Sequence, residues 1–215
     1  MKQVTETYME SFFTRHEDLR FLQPQILEVT EMLTNAFRNG HKLLLCGNGG
    51  SCADCEHIAG ELLKGFLLKR PVEQAMIDDL SQRYGQQGQE IGKKLQQGLP
   101  AISLGTHAAA ISAFANDVDA GLVYAQQVLA YGREGDVLLG ISTSGNAENV
   151  AAAMMVAKTL GLRTIGLTGR DGGKLAKLSD VSLIMPQQET YRIQEDHLAV
   201  YHLLCAAVEY ELFER

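Results

Sequence analysis

The chain has 215 residues, 46% of them hydrophobic, which is enough to bury a full core within one domain. A formal charge of −7 with 21% charged residues argues against a nucleic-acid surface and for a soluble acidic protein. No apolar stretch approaches the roughly 20 residues of a membrane span, and the N-terminal MKQVTETYMESFFTRHEDLR lacks the apolar centre of a signal peptide, so the cytoplasm is the expected compartment.

Residues 4 to 21 set Tyr8, Phe12, Phe13 and Leu19 at helical spacing, and a second run after Pro24 repeats through Ile26, Val29, Met32, Leu33 and Phe37 to a stop at Asn39–Gly40. This predicts an N-terminal helical hairpin over residues 1 to 40 that can cap its own sheet or pack on another subunit; its aromatic positions lean slightly towards an interface. Leu43 to Leu45 fits a buried strand. A turn of small residues, Gly47 to Ser51, leads from it into a helix expected to run to about Leu68, where Lys69-Arg70-Pro71 ends it. Residues 78 to 98 are polar and rich in glutamine and glycine; they form an insert, partly helical in pattern, expected to lie over the mouth of the site. Pro100 to Leu104 reads as a second strand, residues 107 to 115 as a helix, and Val118 to Tyr131 as another.

The second half alternates cleanly. Asp136 to Ile141, Arg163 to Leu167 and Val181 to Met185 are apolar strands, with helices over 147–160 and after 173, and a long last helix from about Arg192 to Glu214. Five buried strands joined by helices predict an α/β fold, a three-layer sandwich with a five-stranded parallel sheet covered on both faces. The whole of 1–215 is expected to be one domain.

Two strand-to-helix loops carry the chemistry. Gly47 to Ser51 offers turn and helix N–H groups to an anion, and Ser142, Thr143, Ser144, Gly145 and Asn146 add three adjacent hydroxyls. Both lie where ligands bind in an open α/β sheet, beyond the carboxyl ends of the strands. Neither loop is a dinucleotide fingerprint or a P-loop. His57 and Glu61 stand one turn apart, about 40° round a helix, while Gln194 and His202 on the last helix stand two turns apart and about 80° round it. Spacing alone does not choose His202 over the neighbouring Glu195, Asp196 and His197. Of the four cysteines, Cys46, Cys52, Cys55 and Cys205, the middle two form a CxxC. With no second ligand pair it does not read as a structural zinc site, and the preferred reading is small residues filling a tight helix–strand contact.

Taken together these stretches resemble the sugar isomerase (SIS) domain proteins and, among them, the phosphoheptose isomerase family. The resemblance rests on CGNGGS at Cys46 to Ser51, H-x3-E at His57 to Glu61, and Asn116-Asp117. It rests equally on GREGDVLLGISTSGN at Gly132 to Asn146, LTGRDGGKLA at Leu167 to Ala176, and RIQE-x6-H at Arg192 to His202. It implies a flavodoxin-like SIS fold and a ketose–aldose isomerase converting sedoheptulose 7-phosphate to D-glycero-D-manno-heptose 7-phosphate. It implies one Zn²⁺ per subunit held by His57, Glu61, Gln194 and His202, and an acid–base pair of Glu61 and His202. The implied sugar-phosphate contacts are Asn48, Gly49, Gly50, Ser51, Glu61, Asn116, Asp117, Ser142, Thr143, Ser144 and Gln194. The family's assembly implies a homotetramer with sites near subunit interfaces. His197 takes no role, because the family's histidine is the one eight residues after Gln194.

The chain departs from that pattern in three places. Ala147 stands where the family usually has serine, the insert at 78 to 98 is absent from the shortest members, and the basic residue often found soon after the glutamate is out of register, with Lys64 and Gly65 nearby. Two other readings compete. A non-catalytic SIS protein, similar to the initiator-associating protein of bacterial replication, would lack the acid at Glu61, which this chain keeps. An isomerase of another sugar phosphate, such as arabinose 5-phosphate, would be expected to carry regulatory domains that have no counterpart in these residues.

Overall fold

The computed structural model describes residues 1–214. Its elements in chain order are α1 (Gln3–Arg15), a 3₁₀ turn (Glu17–Leu22), α2 (Gln23–Arg38), β1 (Leu43–Gly47), α3 (Gly50–Leu63), α4 (Gln74–Lys94) and β2 (Ala101–Ser103). There follow α5 (Ala108–Phe114), π and 3₁₀ turns over 115–122, α6 (Val123–Tyr131), β3 (Val137–Ser142), α7 (Glu148–Thr159), β4 (Arg163–Gly169), α8 (Gly173–Leu178), β5 (Val181–Met185) and α9 (Thr190–Phe213).

All five strands are parallel, in the order β2-β1-β3-β4-β5. Because alternate residues of a strand face opposite ways, β1 feeds two cores. Leu43 and Leu45 point towards α2, α3 and α9 with Ile58, Leu62, Tyr201 and Leu204. Leu44 and Cys46 point towards α6, α7 and α8 with Val128, Val150 and Met154. The expected α/β sandwich is therefore what the apolar runs build. The order 2-1-3-4-5 puts its topological switch between β1 and β3, where Gly47 pairs with Ile141. Ligands in such sheets sit in the crevice outside that point, so the two small-residue loops emerge side by side.

Four expectations need correction. The N-terminal hairpin covers its own body: α1 packs on α9, and α2 on α9 and β5. Phe12 and Phe13 are buried within the chain, and Tyr8 meets Tyr210 edge-on, so its aromatic residues mark an internal contact. α3 stops at Leu63 rather than Leu68. The reason lies far along the chain: the carboxylate of Glu209 accepts the backbone N–H groups of Phe66, Leu67 and Leu68 at 2.8, 2.7 and 3.0 Å, which pulls this segment out of helix. Arg70, buried with Glu209, donates to it from Nε at 2.6 Å and to the Leu62 carbonyl at 2.9 Å. Val118 to Tyr131 is not one helix, because the Asp119 side chain accepts the Gly121 N–H and starts a fresh turn.

The fourth correction concerns the insert. Residues 74–94 form α4, bent back on itself at Gly85 so that Gly88 lies against Leu80 and Gly92 against Ile77. Its base is tied to the end of α3: Leu99 N–H donates to the Leu62 carbonyl and Gln97 N–H to that of Arg70. An α3–β2 connection lies at the amino ends of the parallel strands. Within the chain the insert therefore projects from the sheet edge opposite the two loops and does not cover them.

Candidate active site

α3 and α9 pack side by side, and their contact joins residues 144 and 145 positions apart. At its upper end a methyl group added to Gly50 would run into the amide of Gln194, so the helix N-terminus and Gln194 touch because position 50 has no side chain. Further down, His57 Nε2 lies 3.3 Å from Glu61 Oε1 and 3.4 Å from His202 Nε2. Phe66, brought round by the Glu209 capture, stacks on the His202 ring at 5.6 Å between centroids. The sequence placed His57 and Glu61 on one helix face; the fold supplies the reason for them to meet His202.

The three groups are electrostatically distinct. Burial works against ionisation of Glu61, but Lys64, 2.7 Å from Oε2, and His57 outweigh it and hold the carboxyl below its usual range. His202 is lowered, first by burial and then by the neighbouring His57, with Glu61 opposing. It is therefore neutral near pH 7, with one ring N–H to give. Among the described residues no three His, Cys, Asp or Glu side chains close into a complete metal cage; what exists is the convergence of Glu61 and His202 on His57 Nε2. Gln194 is not part of that convergence, since its amide rests on Gly50.

Above this cluster lie the two loops. Gly49 has φ 56° and ψ −122°, a region open to glycine, which lets β1 turn directly into α3. Asn48 and Asn149 exchange two amide hydrogen bonds of 2.8 and 2.9 Å, locking the first loop to the start of α7. Tyr124 donates its hydroxyl to the Gly47 carbonyl at 2.5 Å. Ser51 and Ser142 are buried, while Thr143 and Ser144 are partly open. Ser144, Asn146, Arg170, Asp171 and Gln188 line an open hollow beside the second loop. Asn116 and Asp117 are exposed on the π turn, bonded to each other, and make no hydrogen bond to the two loops or to the His57 cluster among the described residues.

The cysteines behave as packing. All four are free, and burial raises every thiol, Cys46 and Cys205 to about 12. A redox-active CxxC needs a depressed thiol pKa, which the pair Cys52 and Cys55 does not have. Asn149, Asp54 and Tyr201, which touch site residues, escaped the sequence reading. Asp54 sits three residues before His57 on one helix face and was legible in principle; Tyr201 and Asn149 act across the fold and left no local signal.

Comparison with known proteins agrees with this arrangement. The SIS domain family model matches residues 7–169. Phosphoheptose isomerases from Geotalea daltonii and Helicobacter pylori are each 41% identical, over 89% and 90% of this chain and 86% and 87% of theirs. The structure of phosphoheptose isomerase GmhA from Neisseria gonorrhoeae superposes with a TM-score of 0.73 at 34% identity, covering 96% of this chain and 97% of that one. Fold and crevice thus define a SIS-domain protein. Within that class the chain belongs to the phosphoheptose isomerase family, and it is an enzyme of the sugar isomerase type. No helix among the described residues is long and apolar enough to cross a membrane.

Proposed function

We propose that the chain interconverts sedoheptulose 7-phosphate and D-glycero-D-manno-heptose 7-phosphate in the cytoplasm. One observation carries the reading: the crevice at the β1/β3 switch point opens at the N-terminus of α3, the same helix on which Glu61 meets His57 Nε2 together with His202 from α9. The phosphate suits the amides of Gly49 and Gly50 and the hydroxyls of Ser142, Thr143 and Ser144, with Ser51 beside them. Asn48, Asn116, Asp117 and Gln194 are the side chains that the family resemblance assigns to the rest of the sugar phosphate.

Isomerisation moves one proton between C1 and C2 through an enediol and needs a base, an acid and stabilisation of the developing oxyanion. Glu61, kept ionised chiefly by Lys64, accepts the carbon-bound proton and returns it to the adjacent carbon. His202, neutral with an N–H, gives a proton to the carbonyl oxygen as the enediol forms and recovers one as the new carbonyl closes. Phe66 shields one face of that imidazole from water.

The donor set also suits a zinc ion. Tetrahedral Zn²⁺ with bonds of about 2.0–2.1 Å has ligand atoms about 3.3–3.4 Å apart, and His57 Nε2 stands at 3.3 and 3.4 Å from Glu61 and His202. His57, Glu61 and His202 would hold it, with Gln194 moving off Gly50 to complete the four. Bound there, zinc would polarise the sugar oxygens as a Lewis acid. We propose one ion per subunit and a homotetramer, following the family pattern.

The test is to incubate the protein with sedoheptulose 7-phosphate with and without a chelator and follow heptose 7-phosphate by NMR. Product is expected, with its rate reduced by chelation. No product under either condition would contradict the substrate assignment, and full activity in metal-free protein would remove zinc from the account.

A further inference from the structure

Behind His57, on the side away from Glu61, lies a second pair of groups with no part in binding or proton transfer. The Tyr201 hydroxyl is 2.9 Å from His57 Nδ1 and 3.4 Å from Asp54 Oδ1. Tyr201 is 1% exposed, and its ring meets the His57 ring edge-on with centroids 5.4 Å apart. Asp54 is a half-buried residue, and its other oxygen is buried with no hydrogen-bond partner.

The polarity of this chain follows from counting hydrogens and comparing the two contacts of His57. A hydroxyl has one hydrogen, a neutral imidazole has one N–H, and an ionised carboxylate only accepts. Two acceptors compete for the single N–H of His57: the Glu61 carboxylate, 3.3 Å from Nε2, and the Tyr201 oxygen, 2.9 Å from Nδ1, which is free to accept when its own hydrogen turns to Asp54. The shorter contact is the one at Nδ1, and with the hydrogen there Nε2 of His57 presents its lone pair to the space shared with Glu61 and His202.

We infer that Asp54 and Tyr201 are positioning residues that hold His57 in its Nδ1–H tautomer, with the Nε2 lone pair turned into the site. The inference rests on reading His57 Nε2 as a donor atom of that site. A ligating histidine commonly gives its second ring N–H to an oxygen acceptor, which fixes both tautomer and orientation. Here the carboxylate reaches the histidine through an inserted tyrosine hydroxyl. The opposite polarity, with Tyr201 donating to Nδ1 and Nε2–H donating to Glu61, would close the site to a cation.

The experiment reads the proton's position and requires neither turnover nor metal. Protein labelled with ¹⁵N-histidine is made metal-free and held above the usual histidine pKa of about 6.5. Long-range ¹H–¹⁵N correlation then assigns the His57 tautomer, with His57→Gln identifying the signals. Wild type is expected to show Nδ1–H. Tyr201→Phe is expected to lose that preference, and Asp54→Ala to move the proton to Nε2 by freeing the tyrosine hydroxyl to donate to Nδ1. Zinc affinity in Tyr201→Phe is expected to fall about tenfold or more. An Nε2–H tautomer in wild type would overturn the inference. So would variants that melt at lower temperature while leaving the tautomer unchanged, since that is the behaviour of a merely structural pair. Failure of the isomerase reading would show instead as absent turnover by wild type, whatever the tautomer.

Discussion

His197 and His202 lie on the same helix little more than one turn apart, and their surroundings are opposite. His197 is fully buried against the sheet, its Nε2–H donating to the Thr168 carbonyl at 3.1 Å while Nδ1 has no partner. Burial pushes it down to about 4, the Thr168 bond opposing, so it is a neutral structural donor at every physiological pH. His202 is only partly buried, faces another imidazole and a carboxylate, and is stacked by Phe66. α9 thus uses one face to build the core and the other to complete a site. A histidine's role here is set by which face it occupies, which composition and local pattern do not reveal.

The sharpest way to break that comparison is to exchange the two residues' fates. His202→Ala should lower turnover of sedoheptulose 7-phosphate by roughly 10²–10⁴-fold, the usual contribution of a positioned acid or base, while its melting temperature stays near wild type. His197→Gln, which can still donate to Thr168, should leave turnover close to wild type. Steady-state kinetics on both variants checks this, and equal losses would erase the distinction.

Farther down α9, Glu209 is the extreme of the structural kind. It is paired in full burial with Arg70, whose guanidinium also sits 4.7 Å over the Phe213 ring, and it holds three backbone N–H groups. Removing one partner of such a pair typically costs about 3–5 kcal/mol. Glu209→Ala should therefore show a loss of that order in denaturant unfolding, together with disorder around Phe66 and secondary damage to the His202 environment. A variant as stable as wild type would contradict the anchoring role.

The pH dependence of stability separates the two histidines again. His197 has its folded-state pKa depressed, so between the usual histidine value of about 6.5 and about 4 the unfolded chain binds a proton that the folded chain refuses. Stability on this account falls as pH drops through that window, by up to about 1.4 kcal/mol per unit. Chemical denaturation from pH 7 to 4.5 should show the slope, and His197→Gln should flatten it; an unchanged slope in the variant would assign the loss elsewhere. The smallest effect expected is at the cysteines. With every thiol raised, alkylation at neutral pH should be no faster than for free cysteine, and Cys52→Ser should leave turnover unchanged.

Most of the fold was legible because the strands are apolar runs closed by glycine, proline or hydroxyl turns, and such runs alternating with helices admit one architecture. The places that were not legible share a cause. α3 ends early because of Glu209, well over a hundred residues away, and the hairpin aromatics face inward because α9 is there to receive them. The insert's direction follows from which edge of the sheet the α3–β2 connection occupies, a consequence of topology rather than composition. In the site, the spacing of His57 and Glu61 declared a common face, and the motif resemblance, not the helix pattern, singled out His202. Tyr201 reads locally as one more apolar position on α9, and only the packed structure shows its hydroxyl set between His57 and Asp54.

The central claim is that the crevice binds a sugar phosphate and that Glu61 moves its proton, and Glu61→Gln tests both halves at once. Mixed in excess over sedoheptulose 7-phosphate and followed by NMR, the variant is predicted to bind the sugar phosphate, seen as line broadening of the phosphate signal, and to form no heptose 7-phosphate on the wild-type timescale. Conversion at the wild-type rate would contradict the assignment of Glu61.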